Sequence, residues 1–259
     1  MNLTDSFILK CQCGSPVFLE DICAIYPATL REIINFGYDK FQRCLDILLM
    51  EKPVLDKKDK EVAQLIKELS DFKYFLVLVS MDKEINQKAK EAFRFFTHES
   101  VSFSLEPAQI IIGPLEEKHL LTEEKFYEFQ RILRRMYFIE QEGEEIIINE
   151  DDDPRVKAMK KQMIENRKKV AKAKAKQKQQ TGNDLHFSDL VGSLAINNCG
   201  FNMINIWDIT YYAFHDQLRR MGWRDQFNIN NRAALAGAKL KKSQLKHWMK
   251  SIASDDKKE

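Results

Sequence analysis

The spacing of apolar residues predicts helices over most of the first half of the chain. In "ATLREIINFGYDKFQRCLDIL", Leu30, Ile33, Ile34, Phe41, Cys44, Leu45 and Leu48 recur at helical intervals. Pro27 precedes the first of these helices and Gly37 separates it from the second. A polar break, "EKPVLDKKDKE", follows. Residues 59–72 then read as a helix with Val62, Leu65, Ile66 and Leu69 on one face, and 83–96 as another. Between them "KYFLVLV" is too short for periodicity to decide, and a buried strand and a buried helical turn both fit. "VSFSLEPAQIIIG", 101–113, reads as one or two short strands broken at Pro107. Thr122 is placed to cap a helix whose face is Phe126, Phe129, Leu133 and Met136. "EEIIIN", 144–149, reads as a last edge strand.

The pattern then breaks. Glu140 to Asp153 holds eight acids and no base, whereas Arg155 to Lys178 holds eleven bases and one acid, Glu165. The second stretch is rich in Ala, Lys, Gln and Met, which favour helix. Its apolar stripe of Val156, Met159, Met163 and Val170 is thin. It reads as a solvated helical linker that Gly182 and Asn183 end.

Beyond it the helical period returns. Ser188 is expected to cap a helix carrying Leu190, Val191 and Leu194, and "NNCGFN" is expected to turn. Asn205 would cap the next helix, with Asp208 favouring the dipole at that end. There Trp207, Tyr211, Phe214, Leu218 and Met221 make a stripe. A unit of this size must bury such rings, so the stripe reads chiefly as core. On that reading Trp207→Ala costs about 3–5 kcal/mol. Tyr212 and His215 lie off the stripe and would flank a surface groove. Ser243 would cap a last helix with Leu245, Trp248 and Ile252 on one face.

Composition narrows the chemistry. The chain has 259 residues, net charge +2, and nine Gly and six Pro, which favours helices over a turn-rich β-sandwich or barrel. "MNLTDSFILK" reads without a secretory signal, "YFLVLV" is too short to span a bilayer, and five cysteines without a paired framework suit a reducing cytosol. Cys11 and Cys13 are one spacer apart, and a zinc ribbon needs two clustered pairs. Cys199 and His215 could in principle pair for nucleophilic chemistry, but turn packing accounts for them more simply. No phosphate-binding glycine loop occurs, and the acidic run lacks the alternating ligands of a calcium loop. The basic linker, including Lys160, Lys161, Lys168, Lys169, Lys172 and Lys174, could contact phosphates, yet it offers no aromatic ring for base stacking.

"DLHFSDLVGSLAINNCGFNMINIWDITYYAFHDQLRRM" and "RAALAGAKLKKSQLKHWMKSI" resemble a pattern in proteins of phages and prophages of Gram-positive bacteria. "VFLEDICAIYPATLREIINFGYDKFQRCLDIL", "FFTHESVSFS" and the lysine-rich stretch extend the resemblance along nearly the whole chain, most densely over 185–252. The group is similar to tail assembly chaperones and small virion-associated proteins. The resemblance implies binding to tape-measure and tail-tube proteins without catalysis or a cofactor, and is compatible with a homo-oligomer.

The sequence thus predicts a mainly α chain, with α+β open for its N-terminal part. An α-rich domain would run over 1–150, a Lys-rich helical linker over 151–183 and a C-terminal helical module over 184–254. The expected activity is non-enzymatic chaperoning of phage tail assembly in the host cytoplasm, without metal, cofactor or membrane. Partner contacts are expected at Trp207, Tyr211, Tyr212, His215, Arg219 and Trp248. A virion component and a nucleic-acid-binding accessory protein that uses the basic linker are the competing readings.

Overall fold

Phenylalanines at helical spacing form the centre of the structure, a computed structural model that describes residues 4–52, 68–113, 119–139, 185–197, 200–245 and 247–249. The chain divides into two compact units, 1–139 with 202–259, and 140–201. The sequence reading cuts it at 150 and 183 instead. In the structure the segment from Asn202 onward groups with the N-terminal residues.

In the first unit, α1 (Asp5–Cys13) precedes a hairpin of β1 (Val17–Leu19) and β2 (Cys23–Ile25). Next come α2 (Leu30–Phe36) and α3 (Tyr38–Leu48), parted at Gly37 with φ of 99°. Thr29 and Glu32 make a capping box at α2: Thr29 Oγ1 accepts from the Glu32 N–H at 3.2 Å, and Glu32 Oε2 from the Thr29 N–H at 2.7 Å. The ambiguous "KYFLVLV" lies within a helix, α4 (Asp71–Met81), which Ser70 caps. Phe72, Phe75, Leu76 and Val79 are its buried positions, a spacing that helix provides and strand does not. Asp82 ends α4 and caps α5 (Lys83–Thr97) by accepting from the Glu84 and Ile85 N–H groups at 2.7 and 3.1 Å.

β3 (Val101–Leu105), β4 (Ala108–Ile112) and β5 (His119–Leu121) form an antiparallel sheet in that order, with the break at Pro107 becoming the β3–β4 turn. Val101, Ile110, Ile112 and Leu121 are buried, and β3 packs against α4 and α5. α6 (Glu123–Met136) buries Phe126, Phe129, Leu133 and Met136, as their spacing predicts, together with Ile132. Gln130 Nε2 donates to the Leu48 carbonyl at 2.7 Å, which fastens α6 to the end of α3. Ring pairs Phe93–Phe129 and Phe75–Phe126, each with centroids 5.2 Å apart, knit these helices together. Full burial of each such ring contributes about 1.5–3 kcal/mol.

Asn202 opens the return segment by accepting from the Ile204 N–H on its own side chain at 2.8 Å, a turn that leads into a short 3₁₀ helix, Ile206–Asp208. The long helix, labelled α8 below, then runs from Tyr211 to Leu235. Its cap is Thr210, not Asn205, and Trp207 therefore precedes the helix. The last turn is a 3₁₀ helix, Lys242–Leu245, where the sequence predicts a longer α-helix behind Ser243.

In the second unit α7 (Phe187–Asn197) buries Val191 and Leu194. Ser188 stands inside its first turn, while Asp189 accepts from the His186 N–H at 2.9 Å. Of the helix expected at 59–72, residues 59–67 lie outside the described residues, as do the strand expected at 144–149 and the basic linker; Ser70 caps α4, so 71–72 belong to that next helix.

Candidate partner-docking site

The N-terminal half of α8 is held by polar bonds that start at its cap. Thr210 is buried; its Oγ1 accepts from the Ala213 N–H at 3.0 Å and donates to the Cys11 carbonyl at 2.7 Å. Thr29 and Thr210 form an antiparallel bridge, with Leu30 N donating to Ile209 O and Tyr211 N to Ala28 O, both at 2.9 Å. Six residues on from Thr210, Asp216 is 1 % exposed and accepts from Gln12 Nε2 at 2.9 Å and Arg220 Nε at 3.1 Å. A buried carboxylate supplied with both an amide and a guanidinium is a settled one.

Aromatic rings fill the space between these bonds. Tyr211 lies against Phe41 and Tyr137, at centroid distances of 5.7 and 5.5 Å. Tyr212 is 1 % exposed and stacks on Phe138 at 4.8 Å. His215 sits 4.3 Å from Tyr211, 5.2 Å from Phe214 and 5.6 Å from Phe138, and its Nε2 is buried without a hydrogen-bond partner. Burial, and secondarily the Arg219 guanidinium, push this imidazole down to about 4. Arg219 lies over the Phe138 ring at 5.0 Å.

These positions revise the expected contact set. Tyr211 and Tyr212 bury their rings in the core, so they are removed from any docking face. Trp207 is half-buried and donates from Nε1 to the Met203 carbonyl at 2.8 Å, so its truncation costs less than a core tryptophan would. Trp248 is half-buried and stacks on His247 at 5.7 Å. His215 and Arg219 belong to the aromatic lock.

The C-terminal half of α8 is built differently. One side is covered by the chain's last described turn: Phe227 meets His247 at 5.2 Å, and Asn230 Nδ2 donates to the Gln244 carbonyl at 2.7 Å. On the other side Asp225, Asn228, Ile229, Arg232 and Leu235 are exposed, at intervals of three and four with Ile229 beside Asn228. Ile229 is 60 % exposed and Leu235 89 %. The sequence pattern misses this face because only two of its residues are apolar, and because Gly222 and the asparagines suggest a loop.

Elsewhere in the first unit a cavity of about 380 Å³ is lined by Phe18, Asp21, Cys23, Glu99, Ile112 and His119, among others. Burial pushes the Cys23 thiol up to about 12, which makes it a poor nucleophile at neutral pH. Cys11 is buried and likewise raised to about 12, whereas Cys13 is exposed and lowered by its hydrogen bond to Ser15. Among the described residues, no group of three or more His, Cys, Asp or Glu is placed to hold a metal ion, and no helix is long and apolar enough to cross a membrane.

Fold and site together define a mainly helical chain with small antiparallel sheets and an exposed half-helix near its C-terminus. Residues 175–253 match the family model described as the YomV second domain, which is consistent with a phage protein. The match takes in α7, the Asn202 turn and all of α8. Comparison with curated proteins gives no significant match, and neither does comparison with solved structures.

Proposed function

We propose that this chain is a non-enzymatic, phage-encoded binding protein that acts like a tail assembly chaperone, holding tape-measure and tail-tube proteins during morphogenesis. One observation carries the reading. Helix α8 is locked into the first unit over its first half and presents Ile229 and Leu235 to solvent over its second. Large aliphatic groups set on a rigid helix are the usual anchors of a partner that lays a complementary groove or helix against them. Such binding requires no catalytic group. The match over 175–253 supports the same reading, because it spans this helix and is consistent with phage origin.

The test is co-purification of the full chain with tape-measure and tube proteins, each produced with it. Capture of either protein, lost on Ile229→Asp with Leu235→Asp while the helical circular dichroism is kept, supports the proposal. A correctly folded chain that captures neither refutes it. The competing virion-component reading predicts the chain in purified particles, which mass spectrometry would detect.

A further inference from the structure

We infer that the exposed half of α8 and the turn behind it recognise an acidic, amphipathic segment of a partner protein. This inference rests on the docking proposal and adds the chemistry of what docks. Between Gln217 and Met249 the chain carries eight Lys and Arg against one Asp, while the whole chain nets only +2. This arm is therefore locally basic, as the 155–178 stretch is.

Part of it serves the fold. Arg219 lies over Phe138, and Arg220 pairs with Asp216. Arg224 reaches the neighbouring Asp225 at 3.5 Å, a pair about half exposed on both sides. Arg232, Lys239 and Lys241 are exposed. Arg232 lies one turn from Ile229 and Leu235, so cation and aliphatic group alternate along one surface.

That alternation selects among partners. A phosphate backbone is satisfied by cations alone, and burying Ile229 and Leu235 against it gains little. An acidic peptide helix with its own apolar stripe satisfies both kinds of group, with leucines on Ile229 and Leu235 and carboxylates toward Arg232 and the lysines. The positive arm also speeds encounter with an acidic partner, which makes association sensitive to salt.

The experiment is titration of the full chain by fluorescence anisotropy with two labelled probes. One is a synthetic peptide with leucine at helical intervals and glutamate elsewhere; the other is duplex DNA. The peptide is expected to bind, to weaken about tenfold or more on Arg232→Glu with Lys239→Glu, and to weaken similarly on Ile229→Ser with Leu235→Ser. A peptide with lysine in place of glutamate is expected not to bind. Tighter binding of DNA than of the acidic peptide, indifferent to Ile229→Ser with Leu235→Ser, overturns the inference. So does equal binding of the acidic and basic peptides. If tape-measure or tube capture survives both charge reversals yet is lost with the aliphatic pair, the acidic-partner inference fails while the docking proposal stands. Thermal melts of each variant, expected to lie within a few degrees of the parent because these side chains are exposed, separate lost binding from lost folding.

Discussion

His215 concentrates the tension in the aromatic lock. Its ring lies among Tyr211, Phe214 and Phe138, with Arg219 nearby, and its Nε2 is buried without a partner. An imidazole titrates near 6.5 in the unfolded chain, and here it is held down to about 4. Between those values the unfolded state takes a proton that the folded state refuses. Stability is therefore complete above the unfolded value and declines as pH falls toward 4, by on the order of 3 kcal/mol. Urea melts from pH 7 to pH 4 check this. His215→Leu is expected to flatten that part of the profile, and an unchanged slope contradicts the assignment. The cysteines provide a second residue-scale test. Cys13 is exposed with a lowered thiol, whereas Cys11, Cys23 and Cys44 are buried and raised. Brief iodoacetamide treatment of the native protein is expected to label Cys13 well before these three, as read by peptide mass spectrometry. Early labelling of Cys11 would mean that α1 opens readily from α8.

At the scale of elements, α8 is two half-helices with different surroundings. The first depends on Thr210, whose hydroxyl caps the helix and bonds to the Cys11 carbonyl. Thr210→Val keeps the shape and deletes both bonds, at an expected cost of about 2–3 kcal/mol measured by urea denaturation. Leu235→Ala, on the exposed half, is expected to change stability by less than about 0.5 kcal/mol. Most other elements were legible in the sequence because local signals agreed: Gly37 between two periodic runs, Pro107 between two strands, Thr122 ahead of Phe126 and Phe129. "KYFLVLV" was undecidable because Tyr74, Val77 and Leu78, off the buried face, are apolar too, so the sequence shows no polar side to mark the period. α1 went unread because only Phe7 and Cys11 of its residues are buried. Thr210 went unread as a cap because Asn205 is an equally good capping residue by type. What selects Thr210 is its bridge to Thr29, 181 positions earlier in the chain, which local pattern cannot reveal.

At the scale of the molecule, the return of residues 202–259 to the N-terminal unit makes folding of 1–139 depend on a distant segment. Without it the ring faces of Phe41 and Tyr137 that meet Tyr211 are uncovered, and the Ala28 carbonyl and Leu30 N–H lose their partners. A fragment ending at 139 is expected to bind a hydrophobic dye and to melt without cooperativity. A peptide covering 202–245, added in trans, is expected to restore a sharp transition. Under the proposed docking, linking a distant segment through polar bonds while leaving its far end exposed would lower the ordering cost of association.

Hydrogen exchange along α8 tests most directly whether this helix is anchored at one end and available at the other. With a saturating tape-measure or tube partner, amides of 222–235 are expected to gain protection, while those of 212–218, expected to exchange slowly in the free protein as well, stay unchanged. Protection that appears elsewhere in the chain with 222–235 unaffected would contradict it.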